Sequence, residues 1–410
     1  MRILVLGINY APEAIGIAIY TTGLCEKLVE LGHEVQVVTA KPYYPQWQVH
    51  EGFRGRGWRT TVEHGVTVTR CPLYVPARPG GAKRLVHHAS FAASAYRPMM
   101  KAARSFKPDV VLTIAPSLAS APLALRAARV AGAKSWLHIQ DFEVDAAVAT
   151  GLLPKDGAAA RAARSLEQRA LRGFDRVSSI SAEMCRKLAT SGVAPAQIVE
   201  FRNWADIAAI TPLAAPSAYR LEWSIETPHV ALYSGNIANK QGIEIVLDAA
   251  NLLRHREDLT FVICGEGPNR ATLEAQAAEQ GISRILFHDL QPKSRLSELL
   301  GLATVHLLPQ KAEAADLVLP SKLTNMLASG RPVIATADPD TGLAREVDGC
   351  GVLTAPGDAR GFADAIQHLL DAPAERQAFG TAARRRAETS WDYDAIVRAF
   401  ERELNQLVAV

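Results

Sequence analysis

His229-Val230-Ala231-Leu232-Tyr233-Ser234-Gly235-Asn236-Ile237-Ala238-Asn239-Lys240-Gln241-Gly242 reads as an apolar strand entering a turn with glycine at both ends and a lysine just before a helix. Such a turn offers backbone N–H groups, a helix N-terminus and one fixed cation to a diphosphate. It is not a P-loop, because the G-x-x-x-x-G-K-[ST] order is absent. The amino terminus repeats the arrangement: a strand over Ile3 to Leu6, a turn from Gly7 to Gly16, and a helix to about Leu31. Two strand–glycine-turn–helix units separated by more than half the chain predict two Rossmann-like, doubly wound α/β domains with a cleft between them.

Working outward, runs of four to seven apolar residues alternate with amphipathic stretches almost throughout, the pattern of parallel sheets wrapped by helices. The first half predicts strands at 2–7, 34–39, 66–71, 109–114, 134–139 and 175–180. The second predicts strands near 229–234, 259–264, 284–288, 303–308, 332–336 and 351–354. Between them, Pro212 and Pro216 sit among small residues with no surviving period, which marks 206–228 as a linker. The domains expected are therefore 1–205 and 229–392, with the helix 393–408 packing back on the first.

At 410 residues the chain is long enough for two cores, and 48% hydrophobic with 21% charged residues is ordinary for an α/β protein. A net charge of only +3 argues against a nucleic-acid partner. Residues 1–110 nevertheless hold 14 Lys/Arg against 7 Asp/Glu, a balance of +7 that leaves −4 for the rest. A basic first domain fits an anionic membrane surface or a phosphorylated substrate. The five cysteines are dispersed without C-x-x-C or metal-ligand spacing, so neither a disulfide framework nor a zinc site is expected, and the cytosol is the simplest compartment. The longest uncharged stretch, Val110 to Leu125, contains two prolines and falls short of the roughly 20 apolar residues a span needs, so membrane contact is expected to be peripheral.

Each candidate site carries two readings. Gly16-Ile17-Ala18 places a helix start at the carboxyl edge of the first strand, where open α/β sheets bind ligands, although glycine there also simply turns the chain. Lys240 and Lys322 each stand at a helix start, where the dipole disfavours a cation unless an anion sits there; the alternative is a solvated side chain. In Cys264-Gly265-Glu266-Gly267-Pro268 the glycines either let backbone approach a nucleotide or punctuate a turn. Glu313 and Asp316 lie in the loop before Pro320-Ser321-Lys322, placed to accept hydrogen bonds from sugar hydroxyls or to compensate the helix dipole. His138 and Asp141 end a strand in the first domain, His138 favoured as a proton acceptor by its ordinary pKa and Asp141 by its position past the strand end. Asp338-Pro339-Asp340 matches a short metal-binding pattern but reads better as a turn. The stretch 82–106 mixes Lys83, Arg84, Arg97, Lys101 and Arg104 with Leu85, Val86 and Phe91, as a membrane-surface helix or a core-packed one with a solvated face.

With Tyr20-Thr21, Gly32-His33-Glu34-Val35, Tyr43-Tyr44-Pro45, Tyr233-Ser234-Gly235-Asn236, Lys240-Gln241-Gly242, Gly265-Glu266-Gly267-Pro268, Leu290-Gln291-Pro292, Pro320-Ser321-Lys322-Leu323 and Gly330-Arg331-Pro332-Val333 in order, the chain resembles family-four glycosyltransferases of the GT-B fold. It is most similar to their colanic-acid, fucosyltransferase-like subgroup of exopolysaccharide enzymes. The resemblance implies a GDP- or UDP-linked nucleotide sugar in the second domain, a lipid-diphosphate-linked saccharide acceptor in the first, no metal or other cofactor, and retention of anomeric configuration. The donor set it implies is Gly16, Gly235, Asn236, Lys240, Gly265, Glu266, Gly267, Leu290, Asp316, Leu317, Val318, Ser321, Lys322 and Asn325. Asp141, His138, Lys240 and Glu313 are the catalytic candidates, with His138 or Asp141 orienting the acceptor.

The chain departs from the pattern at Asn236, where the family's usual residue is Arg, and at Asn325, where the second Glu of a Glu-seven-residues-Glu motif belongs. Phe142-Glu143-Val144 also replaces a proline-containing continuation after Asp141. The expected function is sugar transfer at the cytoplasmic face of a membrane. A sugar-nucleotide 2-epimerase of the same plan and a non-catalytic nucleotide-sugar-binding partner protein are the alternatives.

Overall fold

The computed structural model describes all residues except 14–15, 78–79, 145–156, 206, 239–240, 312–320 and 410. Lys240, Glu313, Asp316, Leu317 and Val318 therefore lie outside the described residues. The chain divides into two compact units, residues 1–203 with 396–410 and residues 204–395.

In the first unit the described strands are β1 (Arg2–Gly7), β2 (Glu34–Ala40), β3 (Arg59–Glu63), β4 (Val66–Cys71), β5 (Val110–Ala115), β6 (Lys134–Ile139), β7 (Arg176–Ser179) and β8 (Ile198–Glu200). They form one sheet in the order β3-β4-β2-β1-β5-β6-β7-β8, parallel except where β3 runs antiparallel to β4. β1 and β5 are sequestered along nearly their whole length, as strands covered on both faces must be, and read as continuous apolar runs for that reason. β3 and β8 were not expected: β3 is polar, Arg-Thr-Thr-Val-Glu, and β8 has three residues. Both lie at sheet edges, where alternation is weak and the apolar signal fades. Residues 396–410 carry most of the last helix, Tyr393–Ala409, whose Phe400 stacks on Phe201 at 4.3 Å and meets Trp136 edge-on at 4.8 Å.

The second unit has β9 (His229–Ser234), β10 (Leu259–Cys264), β11 (Ile285–His288), β12 (Val305–Leu308), β13 (Val333–Thr336) and β14 (Gly351–Thr354). Their order is β11-β10-β9-β12-β13-β14, all parallel. Helix starts follow local chemistry: Asp358 accepts from the Gly361 amide at 2.8 Å and Thr341 from the Ala344 amide at 3.2 Å. The stretch 206–228 is more ordered than its composition implies. It holds a one-turn helix, Tyr219–Glu222, whose Tyr219 is fully buried.

Strand order reverses direction at β1/β5 in the first sheet and at β9/β12 in the second. Ligands of open α/β sheets bind outside the carboxyl ends of strands at such switch points. The turn after β9 and the helix after β12, Ser321–Ala328, flank the second switch point.

Candidate functional site

In the second unit, Gly235 leaves β9 with φ of 138°, a conformation side chains rarely adopt. The turns after β9 and β10 are laced together by Gly235 N–H donating to the Cys264 carbonyl at 2.9 Å and Ile237 N–H donating to the Glu266 carbonyl at 2.8 Å. This packing explains the two glycines that follow β10. A Cβ on Gly265 would lie 1.9 Å from the Gly235 carbonyl oxygen, and one on Gly267 would lie 2.1 Å from that of Ile237. Their bareness thus serves loop-on-loop contact, the turn reading of these two glycines.

Lys322, second residue of the helix Ser321–Ala328, extends toward the Gly235 turn. Its Nζ donates to Tyr233 Oη at 3.0 Å and sits 4.2 Å from the centre of that ring. Tyr233 Oη in turn donates to the Asn236 carbonyl at 2.6 Å. Burial pushes the Tyr233 phenol up, so it stays neutral and the proton order runs from ammonium to phenol to carbonyl. A Cβ on Gly235 would come within 3.7 Å of the Lys322 Nζ. The structure therefore brings Gly235, Asn236 and Lys322 together at the carboxyl edge of β9. Tyr233, which the sequence presents as a core strand residue, is a group that holds the cation there.

Around this centre, Asn325 lies half-buried one turn beyond Lys322. Gly242 packs on the other arm of the switch point, where its Cβ would stand 3.2 Å from Lys311 Cγ. Gln310 is pinned by Thr336, whose Oγ1 accepts from its N–H and donates to its carbonyl, both at 2.7 Å. Glu266 offers its carbonyl to the neighbouring turn while its side chain is exposed. Leu290 is also exposed, at 61%, in a turn braced by Tyr219 Oη donating to Gln291 Oε1 at 3.0 Å. Next to it His288 stacks on Trp223 at 3.8 Å. Asp338 and Asp340 stand in an exposed turn, where the Asp338 carbonyl accepts from Thr341 Oγ1 at 2.8 Å. Among the described residues no group of three or more His, Cys, Asp or Glu is placed to hold a metal.

In the first unit, Gly16 caps the helix Ile17–Glu30 with φ of 64° and ψ of −145°, open only to glycine. The buried Glu13 carboxylate accepts from Asn9 Nδ2 at 2.8 Å and from the Tyr43 and Tyr44 amides at 2.8 and 2.9 Å. It thereby ties the Tyr43-Tyr44-Pro45 loop to the turn after β1. Burial raises this carboxyl and those N–H groups oppose the rise. Tyr43, Trp47 and His87 pack in T-shaped and tilted contacts beside it, with ring centres 4.6 to 5.5 Å apart. Past β6, Asp141 is exposed. Glu143 is turned inward, accepting from the Leu118 amide at 2.6 Å and from the Ser117 amide, so it clamps the turn after β5.

His138 does not meet the expectation of an available base. It is 1% exposed inside the sheet, its Nδ1 lies 2.9 Å from Ser178 Oγ, and burial pulls its pKa down to about 3. A neutral imidazole walled in by neighbouring strands orders the sheet and cannot touch an acceptor there.

A model of a glycosyl transferase 4-like domain matches residues 16–204 and one of glycosyl transferases group 1 matches residues 219–386. The chain is 42% identical to WcaI, a colanic acid biosynthesis glycosyl transferase of Escherichia coli K12, over 98% of each protein. In fold it is similar to HepE of Anabaena solved with UDP, with a TM-score of 0.73 at 15% identity over 99% of this chain and 100% of that one. Sucrose-phosphate synthase of Thermosynechococcus elongatus gives 0.73 at 19% identity over 100% and 99%.

Proposed function

Because this chain belongs to the glycosyl transferases built from a 4-like domain and a group 1 domain, we propose that it moves a sugar from a GDP- or UDP-linked donor to a lipid-diphosphate-linked saccharide in exopolysaccharide synthesis. The supporting observation is the Lys322 ammonium, held by Tyr233 over the Gly235 turn at the switch point of the second sheet. There a diphosphate meets backbone N–H groups and a fixed cation. The similarity to WcaI supports the exopolysaccharide assignment.

In this reading catalysis is stabilisation of the leaving group. Charge that develops on the departing diphosphate is met by Lys322, by Lys240 and by turn amides, which replace the charge a metal would otherwise supply. The C1–oxygen bond to the diphosphate breaks as the acceptor oxygen bonds to C1 on the same face, with retention. The acceptor proton passes to a phosphate oxygen of the donor. Asp141, exposed past β6, orients the acceptor hydroxyl; Glu313, Asp316, Leu317, Val318, Ser321 and Asn325 hold the sugar and ribose; and the turn bearing Leu290 faces the base. Gly16 belongs to the donor set, and the Glu13-tied aromatic loop to the acceptor side. The acceptor's lipid sits in an anionic membrane against the basic helix Gly81–Ser105, and in this reading the enzyme works at the cytoplasmic face.

The test is to incubate the full chain with lipid-linked saccharide and a panel of labelled GDP- and UDP-sugars, GDP-fucose included. Label moving to the lipid fraction is expected. Label that changes sugar identity without an acceptor would support the 2-epimerase reading, and label bound but unchanged would support a nucleotide-sugar-binding partner.

A further inference from the structure

The second unit contains a cavity of about 760 Å3 that no step of the proposed transfer uses. Its lining includes Thr304 and Pro332, which lead into the amino ends of β12 and β13, and one side of the helix Pro373–Ser390. A hollow of about 410 Å3 beside His229, the first residue of β9, shares Thr304, Arg331 and Arg376 with it. The Gly235 turn leaves the other end of β9, six residues away and roughly 20 Å along the strand. Cavity and donor turn thus occupy opposite edges of one sheet.

Charge in the two hollows is one-sided. Arg220, Arg331, Arg376, Arg384 and Arg385 line them, and the one carboxylate among the described residues of the lining, Glu388, is engaged by Arg384 Nε at 2.7 Å. Arg376 is aimed by the Leu369 and Leu370 carbonyls at 2.8 and 2.9 Å, and Arg331 reaches the Gly301 carbonyl at 3.4 Å. Carbonyls orient a guanidinium without neutralising it. Elsewhere in this unit arginines meet carboxylates: Arg256 with Asp258 and Asp371, Arg270 with Glu274 and Asp289, Arg295 with Glu222. Burial and the nearby Arg376 charge both act against the charged form of Arg331. Two partly buried like charges beside an open cavity are unfavourable as they stand, and an anion between them removes the penalty.

We propose that this cavity is a second anion site, distinct from the donor site, which takes a phosphate-bearing small molecule with its phosphate between Arg331 and Arg376. Guanidinium forks match phosphate oxygens two at a time, and the volume lies in the range of small-molecule sites. Thr304, Gln377 and Thr381 supply neutral hydrogen-bonding groups for the remainder of the ligand.

The test is calorimetric titration of the full chain with inorganic pyrophosphate at fixed ionic strength, in wild type, Lys322→Met, Arg331→Gln and Arg385→Ala. A site that survives Lys322→Met and is weakened about tenfold or more by Arg331→Gln is expected, since one bidentate contact is lost. Arg385 is exposed on its helix, so Arg385→Ala folds without difficulty and is expected to weaken the same site severalfold. Pyrophosphate binding that vanishes entirely in Lys322→Met, or that is unchanged in both arginine variants, overturns the proposal.

Discussion

Gly265 has no room for a side chain, and its φ of 155° is strained for any residue that has one. Gly265→Ala sets a methyl group against the Gly235 carbonyl and pushes apart the two turns that shape the proposed donor edge. It is expected to cost about 3 kcal/mol, read as a lowered urea midpoint, and to weaken nucleotide binding in the protein that remains folded. Tyr233 is a subtler case, because Tyr233→Phe keeps the ring under the Lys322 ammonium but removes the hydroxyl that receives its hydrogen bond. The lysine then loses one of the contacts that direct it, and transfer is expected to slow by roughly tenfold, about 1.4 kcal/mol, with little change in thermal stability. Both residues show what spacing alone conceals. Glycine signals a close approach without saying whether a ligand or another turn makes it, and a tyrosine in an apolar strand looks like core until its hydroxyl partner is seen.

Among the elements, the helix Gly81–Ser105 meets the core-packed one of its two sequence readings, and the membrane-surface one is a proposal about its other face. Phe91, Ala95, Met99 and Ala103 bury one face in the core of the first unit. Lys83, Arg84, Arg97, Lys101 and Arg104 are exposed, together with Leu85 at 72% and Val86 at 54%. Basic residues beside exposed aliphatic ones suit a headgroup boundary. Sedimentation with vesicles containing anionic lipid is expected, falling by more than about threefold for Leu85→Asp with Val86→Asp; equal sedimentation with purely zwitterionic vesicles would count against the membrane role. Among the described residues no helix is long and apolar enough to cross a bilayer. The central strands were legible because burial on both faces leaves a continuous apolar run, as in Val110–Ala115. The polar edge strand Arg59–Glu63 and the single-turn helix Tyr219–Glu222 were not, since neither is long enough or apolar enough to show a period.

Across the whole molecule, each unit keeps a fully buried neutral histidine, His138 in the first sheet and His306 in the second, both pulled to about 3 by burial. Unfolded histidine titrates near 6.5. Between those values the unfolded chain binds more protons than the folded one, so stability is full above about 6.5 and is lost as pH falls toward 3. Each histidine is expected to cost its unit about 2 kcal/mol on going from pH 7 to pH 5. Unfolding midpoints at the two pH values, with His306→Gln flattening the dependence of the second unit, check this. The candidate site was legible in part: Lys322 and the Gly235 turn stand out in the sequence, whereas Glu143, which clamps the turn after β5, looks there like one more loop carboxylate. The proposed transfer depends on the Lys322 ammonium holding the diphosphate of the donor. Its most direct test is the dissociation constant of UDP and of GDP for wild type and Lys322→Met. For the nucleotide that binds, an increase of about tenfold or more is predicted, and an unchanged constant in a folded variant would contradict the account.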